Sequence, residues 1–278
     1  MEEHVLWITA LLNSLFGKPV AAILSAMHIQ PENAAYPIPN HVSMEILVFA
    51  VAIVFFLWLK GRLSVERPGA TQQCMEMILT NPLDLGVLDL LENNVGHNGR
   101  SYLSMLGSIG IFVLMCNLIS LIPTLESPTA QISVPFGLAV VVFIYYNYSG
   151  IRKHGAFTYV MHFTGPEVPL PPPFSWIISL IIFVIELISN FARLLSLTVR
   201  LWVNMFVSEL LYGIFLGLLL ELFLFLGHLN FTGYIAVVLP FALPIAFIVL
   251  HIFVGVLQAF VFTILPVIYV SGAVGEEH

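Results

Sequence analysis

The stretch Glu186–Glu209, ELISNFARLLSLTVRLWVNMFVSE, places two arginines, two glutamates, two asparagines and three serines inside an apolar run from Phe174 to Phe225. At about 100° per residue, Glu186, Ser189, Arg193, Ser196, Arg200 and Asn204 share a helical sector of about 80°. Leu, Ile, Val, Phe and Trp fill the rest of the circumference. Carboxylates and imidazoles relay protons, whereas a guanidinium keeps its proton and interrupts a relay. A charge at bilayer depth costs at least ~2.5–3.5 kcal/mol, so such a stripe needs partners or water. Arg193, nearer the helix start, suits a snorkelling side chain or a structural ion pair as well as a functional role. Arg200, about midway along the run, does not.

A second polar pair lies further on. His251 and Gln258 are seven residues apart, hence nearly on one helix face and about 10 Å apart along the axis. Gly255 sits between them, where a missing side chain permits close approach of another helix. An antiparallel pairing with Gln258 beside Arg200 brings Glu209, about 13 Å beyond Arg200, to the depth of His251. One half of the membrane then holds a carboxylate and an imidazole, the centre an arginine, and the other half a carboxylate with serines. That order describes a proton path broken by a fixed positive charge. Glu209 faces away from Arg200 on an ideal helix, so a structural pairing with His251 is the competing reading. No acid of this chain stands at the depth of Arg200, so its partner is expected on another polypeptide. Glu221 and His228 are expected at the interface, and Tyr145, Tyr146 and Tyr148 as an aromatic belt.

The elements that carry these residues follow from composition. Of 278 residues, 59% are hydrophobic and 9% charged, with net charge −7. Soluble domains carry about 25% charged residues, so the class is an all-α integral membrane protein in a single domain, residues 1–278. No basic run points to nucleic acid, no GxxxxGK[ST] loop to nucleotide, and two scattered cysteines to neither a metal site nor a disulfide framework; no cofactor is expected. The acidic start MEEH argues against a cleaved signal peptide. An interfacial helix is expected over 5–27, interrupted by Asn13, Gly17, Lys18 and Pro19, with a further interfacial segment before Gly99. Membrane helices are expected over 44–60, 102–122, 134–148, 174–226 and 234–270. The last two, antiparallel, are too long for upright spans across ~30 Å of hydrocarbon and must tilt, bend or break, with Pro240 and Pro244 as bend points. With five crossings, Lys60, Arg62, Arg67, Arg100, Arg152 and Lys153 fall on one side and Lys18 alone on the other. The N-terminus is then outside and the C-terminus cytoplasmic.

The segments SLTVRLWVNMFVSEL (Ser196–Leu210) and LQAFVFTILPVIYVS (Leu257–Ser271), with NLISLIP (Asn117–Pro123), SPTA (Ser127–Ala130) and the terminal EEH, resemble subunit a of the membrane sector of F-type ATP synthases. The resemblance covers about Tyr102 to the end. It implies that Arg200 is the stator arginine facing a carboxylate of the rotating c-ring, with Gln258 beside it. Asn204, Glu209 and His251 would line the outer half-channel, and Glu186, Ser189 and Ser196 the inner one. It implies as partners the c-ring proteolipids, subunit b of the peripheral stalk, the remaining complex and membrane lipid. The location would be a bacterial plasma membrane, and the subunit itself would be non-catalytic. Val203 departs from the family's glycine, and Ser120, Gln131 and Ser133 stand where polar or acidic residues are frequent. Without the resemblance, the alternatives are a standalone secondary transporter or ion channel, its path lined by the stripe, or a scaffold whose polar groups only join helices.

Overall fold

The computed structural model describes residues 5–31, 33, 35–65, 67–79, 86–95, 99–122, 125–163, 174–226 and 233–275. They form α1 (Trp7–Ala26), α2 (Asn40–Lys60), α3 (Ala70–Leu79), α4 (Val87–Val95), α5 (Arg100–Leu118), α6 (Ser133–His154), α7 (Ala156–His162), α8 (Phe174–Leu226) and α9 (Gly233–Val274). Short 3₁₀ turns cover Ile119–Leu121 and Pro128–Ala130. No strand occurs among the described residues. Six helices are long and apolar enough to cross a membrane, α1 among them. Large apolar side chains stand outward along them: Phe49, Val54, Leu57 and Ile188 are 60%, 66%, 65% and 62% exposed. In water such a surface would be untenable; against lipid it is the ordinary exterior.

The helix ends have local causes. α6 runs past the expected end at Tyr148 to His154, its last turn carrying Arg152, Lys153 and His154, cations that suit the negative end of a helix dipole. Gly155 then takes φ 84°, a left-handed conformation that costs glycine nothing, and α7 begins. α8, at 53 residues, is about 80 Å long, and α9 has 42 residues. Pro240 and Pro244 lie within α9. His228 and the terminal EEH lie outside the described residues.

The contacts divide the chain into two compact units, one of residues 1–63, 111–134 and 201–260, the other of 64–110, 135–200 and 261–278. In the first, Leu6, Ile8 and Met44 form a core against Leu47, Ile119 and Leu125. Asn13 clamps the proline loop onto α1: its amide nitrogen donates to the carbonyls of Thr9 and Ile38, and its oxygen accepts the Ile38 N–H at 2.9 Å. The residue expected to interrupt α1 instead secures it. α8 and α9 run antiparallel here, since Ser208 meets His251 while Phe215 stacks on Phe247 with centroids 3.9 Å apart.

In the second unit, α5 meets the C-terminal part of α9 where Gly110 faces Thr263. Phe143 of α6 stacks on Phe191 of α8, and the Lys153 ammonium donates to the Val274 carbonyl at 2.7 Å, capping the last turn of α9. A Cβ on Gly110 would lie 2.2 Å from Thr263 Oγ1 and 3.3 Å from its Cβ. Rotating the threonine cannot relieve this, because a β-branched side chain puts another heavy atom nearby. Gly110→Ala is expected to destabilise by about 1–3 kcal/mol, the range for overpacking. Gly213→Ala, where nothing lies within 4 Å, should be neutral or slightly stabilising. Thermal unfolding of the two variants in detergent separates these outcomes.

Candidate functional site

Among the described residues, one polar cluster in each unit gathers residues of the expected site or lies beside them. The first gathers around His251, a residue only 5% exposed. Ser208 Oγ lies 2.7 Å from Nδ1, while Ser120 Oγ at 2.9 Å and the Asn117 carbonyl at 3.2 Å face Nε2. The next residue of α8, Glu209, accepts the Ser127 N–H at 3.1 Å. Ser127 opens the 3₁₀ turn Pro128–Ala130, so this carboxylate serves an amide that the turn itself leaves unpaired. His251 and Glu209 share a cavity of about 70 Å³ with Ser120, Leu121, Leu125, Tyr212 and Ile248. A void of this size, with a carboxylate, an imidazole and two hydroxyls around it, has room and partners for water. The juxtaposition of Glu209 and His251 is thus through one cavity, without an ion pair between them.

Beneath the cavity a fully buried set of bonds fixes the backbone. The Asn117 side chain donates to the Gly255 carbonyl at 3.0 Å, and its oxygen accepts from Thr129 at 2.7 Å. Ser127 Oγ donates to the Cys116 carbonyl at 3.0 Å. A Cβ on Gly255 would come within 3.3 Å of Asn117 Cβ, so this glycine gives α5 and α9 their close approach. The thiol of Cys116 is a buried, free packing group. Asn117, Ser127 and Thr129 are the residues that spacing alone did not single out, although NLISLIP and SPTA stood out as motifs.

The second cluster gathers around Asn190, also 5% exposed. Tyr146 hydrogen-bonds its side-chain oxygen. Its amide nitrogen donates at 3.2 Å to Asn147 Oδ1, which also accepts from Tyr159 at 3.1 Å. Tyr146, only 2% exposed, therefore belongs to the interior, not to an aromatic belt; its hydroxyl finds a buried partner that an interfacial tyrosine would find in water. Tyr148, 58% exposed, remains outward. Arg193 pairs with Glu186 at 3.4 Å, two helical turns away, and its guanidinium lies 5.5 Å from the Tyr269 ring centroid. Among the described residues Arg193 is thus an ion-paired arginine, and Glu186 its partner.

Arg200 differs. It is exposed and makes no hydrogen bond or ion pair among the described residues. Ser196, one turn before it, is exposed, and Ser189 is half-buried. In the first unit Asn204 is half-buried and Gln258 is 5% exposed. No group of three or more His, Cys, Asp or Glu able to hold a metal occurs among the described residues.

Asn117→Ala would take a side-chain donor from the Gly255 carbonyl and an acceptor from the Thr129 hydroxyl, and open a void. At about 0.5–1.5 kcal/mol for each hydrogen bond lost, a loss on the order of 1–3 kcal/mol is expected. Recovery of folded protein and its unfolding temperature in detergent measure this; Asn117→Ala behaving like the parent chain would refute the supporting role.

The ATP synthase A chain family model matches residues 42–271. The chain is 36% identical over 275 residues to ATP synthase subunit a of Koribacter versatilis, covering 99% of each protein. It is 39% identical over 258 residues to ATP synthase subunit a of Solibacter usitatus, covering 92% of this chain and 95% of the relative. The same-named protein of Aquifex aeolicus is 36% identical over 241 residues, 86% of this chain and 99% of the relative. With a membrane-helical fold, a family match across most of the length and relatives covered almost end to end, the chain belongs to the ATP synthase A chain family.

Proposed function

We propose that the chain is the stator subunit of a rotary ATP synthase and provides two offset aqueous half-channels to a ring of proteolipid carboxylates, separated by Arg200. The observation that carries this reading is the bare guanidinium: an exposed arginine within a long apolar helix, with no partner among the described residues. A charge so placed requires an acid from elsewhere. The Glu209–His251 cavity supports the outer half-channel, to which the family resemblance adds Asn204 and Gln258. Glu186, Ser189 and Ser196 line the inner one, where the Arg193 pairing holds the Glu186 carboxylate in place.

A proton entering by Glu209 and His251 neutralises a ring carboxylate, which then tolerates lipid. After almost a full turn the carboxyl releases its proton past Glu186 and meets Arg200. The guanidinium favours the ionised carboxylate and, being unable to give up its own proton, blocks direct leakage between the half-channels. Each proton crossing yields about 2.3 kcal/mol per 100 mV, so several are needed per ATP. The subunit is non-catalytic, and its partners are the c-ring, subunit b of the peripheral stalk and the remaining complex. Counted over five crossings, the bias of lysine and arginine supports an N-terminus outside and a cytoplasmic C-terminus; the bacterial plasma membrane is what the family resemblance implies.

Arg200→Ala is expected to abolish ATP-driven proton pumping in vesicles while the complex still assembles. Arg200→Lys should be severely impaired as well, because a lysine is compact and can lose its proton. Coupled pumping by either variant at the parental rate contradicts the assignment. Glu209→Gln provides a separate test. Its amide oxygen still accepts the Ser127 N–H, so folding should be kept, yet it cannot carry a proton. A fall in proton flux of tenfold or more, about 1.4 kcal/mol in barrier terms, at unchanged unfolding temperature is expected; unchanged flux would leave Glu209 with only its structural bond.

A further inference from the structure

The two nitrogens of His251 meet chemically different neighbours. The Asn117 carbonyl, 3.2 Å from Nε2, can only accept, so its contact with the ring is a hydrogen bond only when Nε2 carries a proton. Ser120 is compatible with this: its hydroxyl donates to the same carbonyl at 3.4 Å, leaving its lone pairs to Nε2–H at 2.9 Å. At the other nitrogen the hydrogen-bond partner among the described residues is a hydroxyl, Ser208 Oγ at 2.7 Å, which can donate or accept. A helical serine commonly turns back to the carbonyl four residues earlier; Ser208 instead reaches across from α8 to α9. Glu209 and Tyr212 are the titratable groups that share the cavity with the ring.

We propose that Ser208 is a positioning residue that, opposite the Asn117 carbonyl, holds His251 as the Nε2–H tautomer, so that the imidazole exchanges protons only at Nδ1. This rests on the proton-conduction reading above and deepens it. In uptake, a proton from water binds Ser208 Oγ as the serine's own hydroxyl proton passes to Nδ1. The ring becomes an imidazolium with N–H at both nitrogens and the serine is regenerated; release runs in reverse. The Nε2 proton stays on the ring, donated to the Asn117 carbonyl, throughout. His251 is then a one-sided acceptor and not a two-ended relay, and proton traffic through the cavity passes the ring by way of Glu209.

The test uses the assembled complex in membranes with ¹⁵N-labelled histidine, the His251 signals being those lost in His251→Gln. The parent chain is expected to show a protonated Nε2 and a hydrogen-bonded, unprotonated Nδ1. Ser208→Ala should lose the hydrogen-bond shift at Nδ1, develop an Nδ1–H population and conduct protons several-fold more slowly. Ser208→Thr, which restores the hydroxyl, should recover both. Ser120→Ala should keep the parental tautomer, because the Asn117 carbonyl remains. An Nδ1–H tautomer in the parent chain, a Ser208→Ala spectrum identical to the parent's, or a tautomer that follows Ser120 overturns the inference. None of these results touches the stator reading, which falls only with the Arg200 variants.

Discussion

In hydrocarbon a polar atom has no water to fall back on, and nearly every arrangement in this protein answers that constraint. Backbone groups are satisfied within helices. Where the chain leaves helical geometry, around Ser127 and the proline loop, side chains take over: Glu209 serves the Ser127 amide, and Asn13 both polar groups of Ile38. Against that background Arg200 is the exception, a permanent charge with no partner among the described residues.

The same rule separates structural polarity from polarity with work to do. The Tyr146–Asn190–Asn147–Tyr159 cluster and the Asn117–Thr129 pair are each neutral and largely buried. Such networks rigidify and specify. Four of the residues proposed for conduction have more open surroundings. Glu209 and His251 border a cavity, and Ser196 and Arg200 are exposed. Arg193 lies between the two classes, its charge met by Glu186 and its flat face near Tyr269. Two arginines on one helical stripe thus have different fates, decided by whether a carboxylate falls two turns away.

Much of this was legible in the sequence. The unbroken apolar run after Phe174 announced a helix too long for one upright span, and Glu209 and His251 could be matched by counting residues along two antiparallel helices. Gly255 stood out as the contact point for the same reason. What escaped notice depends on a partner remote in sequence. Tyr146 looks like its neighbours Tyr145 and Tyr148, and only the position of Asn190, 44 residues away, moves it from surface to interior. Asn117 and Ser127 carry no periodic signal, since their partners lie on other helices and on a two-turn loop. Asn13 appeared as a helix interruption because an asparagine's preference for non-helical partners was visible, whereas the loop carbonyl it would meet was not.

The unaccompanied guanidinium of Arg200 also bears on biogenesis. A newly inserted chain, alone in the bilayer, carries an insertion penalty that no group of its own offsets among the described residues, at least ~2.5–3.5 kcal/mol on translocon scales. On the proposed stator reading it is least secure before a ring carboxylate reaches it, and an orphaned copy displays to membrane proteases the feature that a docked copy would hide. Synthesis of this chain in step with that proposed acidic partner would shorten the vulnerable interval.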